Sequence, residues 1–85
     1  MKNKIINLKN GLSVYVADEI IYENRKYIYA LQYDKLTENI TGKYYILEVT
    51  IINDKLNLTN VDNKELNAYL YKLFTANQLK SLFID

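Results

Sequence analysis

Nine tyrosines in 85 residues are the most conspicuous chemistry-bearing feature of this chain, and Tyr22, Tyr27, Tyr29, Tyr33, Tyr44 and Tyr45 crowd into its middle. Beside Arg25, Lys26 and Lys43, a sheet displaying such rings could stack unpaired bases or anchor a protein partner, because tyrosine joins a large contact area to a polar tip. The plainer reading is that Tyr, a good strand residue, stands in for Phe and Trp, of which there are only 2 and 0. No aromatic-and-glycine motif of the RNP kind accompanies the rings to favour RNA.

The carboxylates Asp18, Glu19, Glu23, Asp34, Glu38 and Glu48 are the candidates for an acid–base pair, which requires two groups whose surroundings push their pKa values apart. Their spacing singles out no such pair, and Asp18-Glu19 reads as a bend or bulge between strand segments. Asp54, Asn57 and Asp62 lack the loop pattern and turn glycine of a calcium hand. The two glycines, Gly11 and Gly42, stand too far apart to form a phosphate-cradling loop.

Cys and His are both absent. Their absence removes disulfides, thiolate nucleophiles, imidazole catalysis and Cys- or His-containing metal clusters together. The expectation is a protein that is not an enzyme and carries neither metal nor cofactor.

Net charge is +1, which argues against a strong sequence-independent grip on nucleic acid, since that grip comes from an excess of Lys and Arg. Asn, Ile, Lys and Tyr make up 40 of the 85 residues, a bias of the kind an AT-rich genome imposes. It suggests a low-GC bacterium or one of its mobile elements. The start, MKNKIINLKNG, has no apolar run like the core of a signal peptide, and the longest apolar stretch, Tyr27 to Leu31, is far short of the roughly 18 to 20 residues that span a membrane. A cytoplasmic protein with no membrane contact is expected.

The elements that must position these residues follow from periodicity. Short runs of Ile, Val, Tyr and Thr between turn-like breaks predict strands over about 4–61. Asn10-Gly11 predicts a two-residue hairpin that pairs Leu8 with Ser13, Ile6 with Tyr15 and Ile5 with Val16. A turn centred on Asn24-Arg25 sets Tyr22 opposite Tyr27, and alternation places Tyr27, Tyr29, Leu31 and Tyr33 on one face. Residues 34–42, DKLTENITG, read as the longest loop. In the strand over 43–53, the clean stripe Tyr45, Leu47, Val49 and Ile51 is the expected core face. After a turn near Asp54-Lys55, Leu56 and Leu58 point inward on a short polar strand suited to an edge.

Asp62 and Glu65 have the D-x-x-E form of a capping box, and Leu66, Tyr69, Leu70, Leu73 and Phe74 follow helical rhythm, predicting a helix over about 63–76. Asn77 either ends that helix, leaving residues 78–85 as an apolar tail or a second short helix, or lets it run on toward Phe83. The chain is thus expected to be one domain, 1–85, of the α+β class: an antiparallel β-meander of four to five strands with a C-terminal amphipathic helix packed on one face, against Tyr45, Leu47, Val49 and Ile51.

The spacing of Gly11, Ile20-Ile21-Tyr22, the Asn24 turn, Tyr27-Ile28-Tyr29-Ala30, a variable loop, Ile46-Leu47-Glu48-Val49 and the acid-capped terminal helix resembles the small uncharacterised YrzB-like proteins of low-GC Gram-positive bacteria. The resemblance spans roughly residues 10–76. It implies the meander-plus-helix architecture and supplies no catalytic residues.

Together these features point to a small non-enzymatic protein-interaction module. Its partner-binding candidates are Tyr27, Tyr29, Tyr33, Leu82, Phe83 and Ile84, on an aromatic sheet face and an apolar terminus, with an exposed strand edge as a further option. A homodimer and a phage- or mobile-element-encoded inhibitor of a host protein are its concrete forms. The alternative is a single-stranded nucleic-acid binder using Tyr27, Tyr29, Arg25, Lys26 and Lys43.

Overall fold

The computed structural model describes the backbone of residues 1–8 and 11–83, with side chains as far as Asn77. Five strands, β1 (Ile5–Asn7), β2 (Ser13–Tyr22), β3 (Arg25–Asp34), β4 (Asn39–Ile52) and β5 (Lys55–Asn60), lie side by side in chain order, and one helix, α1 (Lys64–Phe83), follows. Every neighbouring pair is antiparallel. This is the expected α+β meander with its C-terminal helix on one face, and the sheet curls into a half-barrel.

The turns fall where the backbone tolerates a left-handed conformation. Glu23 and Asn24 have φ of 50° and 63°, and Asn53 and Asp54 have φ of 50° and 62°, as the two central residues of a type I′ hairpin require. Tyr22 therefore pairs with Arg25, and Ile52 with Lys55. Each turn sits one residue earlier than the sequence suggested, and Ile20, not Tyr22, lies opposite Tyr27. Glu at a left-handed position costs more than Asn there, so Glu23→Asn is expected to raise stability by about 0.5 to 1 kcal/mol, read as a higher urea midpoint.

The first hairpin also departs from expectation. Ile5 pairs with Tyr15, Ile6 with Val14 and Asn7 with Ser13, so three residues, not two, separate Leu8 from Leu12. Gly11, at φ 84°, is the left-handed residue that ends a three-residue loop. The one-residue slip moves Ile6 from the face of Tyr15 to the face of Val14 and Val16. That gain in apolar burial is what sets the register.

Residues 34–42 are not a long loop. Asp34 pairs with Asn39, leaving only Lys35 to Glu38 as the connection, and the Asp34 carboxylate accepts a hydrogen bond from the Leu36 amide at 2.9 Å. Local side-chain bonding of this kind favours a tight turn. Asn39 to Gly42 belong to β4 although only Ile40 among them is apolar, because Asn39 and Ile40 pair with Asp34 and Tyr33 of β3.

The largest correction concerns the two sheet faces. The concave face carries Val14, Val16, Ile28, Ala30 and Leu47, with Ile6, Leu8, Leu12, Tyr45, Val49 and Leu58 around them. Among the described residues no helix covers it; the curl of the sheet turns it inward. The helix lies on the opposite, convex face, where Leu70 and Phe74 bury Tyr27 and Ile46, flanked by Ile20, Tyr22, Tyr29, Leu66 and Leu73. The stripe Tyr45, Leu47, Val49, Ile51 is thus not the helix-bearing one. Its outer end is not core either: β3 pairs with β4 only as far as Lys26 and Val49, so Ile51 runs past the sheet's centre and is 73% exposed.

The helix is one continuous element through Phe83, without a break at Asn77. Its cap is Asn63, not Asp62. The Asn63 side-chain oxygen accepts the amides of Glu65 and Leu66 at 3.0 and 3.1 Å, which satisfies two donors that the helix cannot. Asn63→Ala is accordingly expected to lower stability by about 1 kcal/mol in urea unfolding, and Asp62→Ala by clearly less.

Candidate interaction surface

The tyrosines are mostly structural glue for the helix. Tyr27 is 2% exposed beneath Leu70 and Phe74. Tyr29 stacks on Tyr44 at 5.5 Å between ring centres and meets Tyr71 at 6.4 Å and Phe74 at 5.5 Å. On the other flank Tyr22 meets Tyr69 at 5.2 Å. Ring pairs at these separations add to what burial alone supplies, so the aromatic side chains clasp the helix from both sides. Tyr33 lies on the same face as Tyr27 and Tyr29, opposite Ser13 and Ile40.

Burial holds the Tyr29 hydroxyl above its ordinary value of 10.0, and the neighbouring Tyr71 and Tyr44 hydroxyls push in the same direction. A folded-state pKa raised above the unfolded one contributes stability that is present below about pH 10 and lost as pH rises through the folded value. The urea midpoint is expected to fall as pH rises past about 10, and Tyr29→Phe to make that fall smaller.

The nucleic-acid candidates do not converge. Arg25 shares the convex face with Tyr27 and Tyr29 and pairs with Glu48 at 3.5 Å. Lys26 lies on the concave face, 3.3 Å from Glu19. Lys43 falls in the irregular stretch of β4 between Ile40 and Tyr44, the partners of Tyr33 and Leu31, while the partner of Tyr27 is Glu48. The carboxylates Asp18 and Glu19 are likewise parted: a bulge between Val16 and Asp18 sends Asp18 to the helix face, opposite Tyr29, and Glu19 to Lys26 and the Met1 amino group, the latter at 3.7 Å. Among the described residues no cluster of His, Cys, Asp or Glu could hold a metal ion, and no helix is long and apolar enough to cross a membrane. Of the terminal candidates, Leu82 and Phe83 belong to the backbone of α1 but their side chains, and the whole of Ile84, lie outside the described residues.

What remains open is one side of the half-barrel. β1 and β5 are the two sheet edges, and between them runs a groove of about 520 Å³ lined by Ile6, Leu8, Leu47, Leu56 and Leu58, with Asn7, Asn57 and Asn60 at its rims. The Val61 amide bonds the Ile46 carbonyl. Antiparallel pairs alternate between bonded and non-bonded, so Asn57 and Thr59 turn their main-chain groups toward β4 while Leu56, Leu58 and Asn60 turn theirs to the groove. The same alternation, fixed by the Leu8 amide on the Leu12 carbonyl and the Val16 amide on the Lys4 carbonyl, turns Ile5 and Asn7 outward on β1. Two rows of main-chain donors and acceptors thus flank an apolar floor.

No family model, curated protein or solved structure matches the chain.

Sequence reasoning placed Leu56 and Leu58 inward on an edge strand, as they are, but assigned them no role. Alternation puts Leu47 on a core face and the hairpin pattern includes Ile6 and Leu8, but nothing in either marks these three as lining a groove. The groove they line depends on curl and on which edges meet, and neither is written in local pattern. A second hollow, of about 590 Å³ beside the helix, is lined by Tyr44, Val61, Tyr71 and the exposed Lys64 and Lys72. Its two rings already contact each other at 5.2 Å and leave no gap for a base to enter between them.

Proposed function

We propose that this chain is a non-catalytic protein-interaction module that engages its partner at the open side of the half-barrel. The observation that carries this reading is the groove between β1 and β5, where unpaired main-chain groups of two edges border the apolar side chains of Ile6, Leu8, Leu47, Leu56 and Leu58. Edges of this kind take up an extended segment, with main-chain hydrogen bonds supplying affinity and alternate side chains supplying selectivity. Natural edge strands usually guard themselves with inward charges, prolines or bulges. From Leu56 to Asn60 there is none of these. The nucleic-acid alternative draws less support, because its two tyrosines are spent on holding the helix. A homodimer and an inhibitor of a host protein are both forms the module could take.

The test is selection of binders from a random peptide library on the immobilised chain. Extended peptides whose binding is lost with Leu56→Lys, a half-exposed position that a charge can occupy without unfolding the chain, are the expected result. Binders indifferent to Leu56→Lys, or salt-dependent capture of oligo(dT) in place of peptides, would contradict it.

A further inference from the structure

The number and direction of the strands say what can fill the open side. In an antiparallel meander of five, β1 and β5 run the same way, so they could close on each other only as a parallel pair. One added strand running against both would pair antiparallel on each side and complete a six-stranded barrel, leaving no edge. The groove has the matching chemistry: main-chain groups of Leu56, Leu58 and Asn60 on one bank, those of Ile5 and Asn7 on the other, and an apolar floor for every second side chain of the guest.

Charge then sets the guest's polarity. Lys4 immediately precedes β1 and Lys55 opens β5; both are exposed, and because the codirectional β1 and β5 line the one groove through Ile6 to Leu8 and Leu56 to Asn60, both lysines stand at the end where the two strands enter it. Lys2 is near that end as well, and Asp54 is the acid beside Lys55. Residues 1–17 contain Lys2, Lys4 and Lys9 and no acid at all. A strand antiparallel to both edges ends its run between Lys4 and Lys55.

We infer that the partner donates one extended, alternately apolar segment as a sixth strand, antiparallel to β1 and β5, with an acidic C-terminal end seated between Lys4 and Lys55. This rests on the interaction-module reading and adds the orientation and charge of the guest.

The experiment uses two fluorescent nonapeptides of identical composition, alternating Val and Thr, one ending in Glu-Glu and the other beginning with it. Binding to the whole chain is followed by anisotropy, and the bound state by amide exchange. The inference expects the C-terminally acidic peptide to bind about three- to tenfold more tightly, the modest scale of exposed ion pairs. That preference should shrink in high salt and reverse with Lys4→Glu combined with Lys55→Glu, and the amides of Leu56, Leu58, Ile5 and Asn7 should gain protection together. Equal affinities, a preference for the reversed peptide, or protection on one edge alone would overturn it.

A single-cysteine variant, Asn57→Cys in this otherwise cysteine-free chain, separates the two levels of the argument. If two β5 strands paired about a two-fold axis through Asn57, the facing Cα atoms would be about 4.5 Å apart, within disulfide reach. Rapid cross-linking with no peptide binding would replace the sixth strand by a second copy and leave the interaction-module reading standing. Neither cross-linking, nor peptide binding, nor any library binder sensitive to Leu56→Lys would remove both.

Discussion

Replacing Phe74 by alanine is expected to cost about 3 to 5 kcal/mol of folding free energy, the largest effect available on the helix. Phe74 is fully buried, sits 5.5 Å from Tyr29 by ring centres, and with Leu70 forms the helix's half of the convex core. Its removal leaves a void that neither a regular helix nor a paired strand can collapse to fill. Domains of this size are held by roughly 5 to 15 kcal/mol, so the variant should sit close to its unfolding threshold. Urea titration followed by near-ultraviolet circular dichroism is the readout, because the rings of Tyr22, Tyr29, Tyr44, Tyr69 and Tyr71 should lose their fixed surroundings as the helix loosens. A loss under 1 kcal/mol would mean that the helix does not rest on this face.

The second large effect belongs to the concave side. Ile28, fully buried at the centre of β3, faces Leu47 on β4 and Glu19 on β2 and lies among Val14, Val16 and Ala30. Ile28→Ala is expected to cost about 2 to 5 kcal/mol, although no helix touches that face. On β4, Ile51→Ala should cost under about 0.5 kcal/mol, since Ile51 is mostly exposed. Denaturation midpoints for the pair decide between two pictures. A large loss at Ile28 with almost none at Ile51 fits a half-barrel that buries its own interior; comparable losses at both would fit a flat sheet whose Tyr45-to-Ile51 stripe is covered along its whole length.

The strands and the helix were readable because their patterns are local. Period-two alternation marks β2 to β5, and the rhythm of Leu66, Leu70, Leu73 and Phe74 marks α1. Which face the helix covers was not readable. Both stripes of β4 are apolar at their centre, Ile46 on one and Leu47 on the other, and both are core. A sheet buried on both faces gives no alternation by which to choose. Local pattern marks the turns but not their centres: Asn24 suits either central position of its turn, and the backbone makes it the second, after Glu23. Asp62 and Asn63 are adjacent and comparably good caps, and only the geometry of the chain entering the helix selects Asn63. The groove at the open side needs the curl of the whole sheet and the meeting of its first and last strands, which are far apart in the chain.

Residue-by-residue amide exchange along β5 and β1 tests the central claim most directly. In the dilute protein alone, Leu56 and Leu58 should exchange quickly while Asn57 and Thr59, bonded to β4, exchange slowly. Adding the C-terminally acidic peptide should slow Leu56 and Leu58 together with Ile5 and Asn7. Protection of Leu56 and Leu58 from the outset at every dilution would mean that the barrel closes on its own and has no side left to offer.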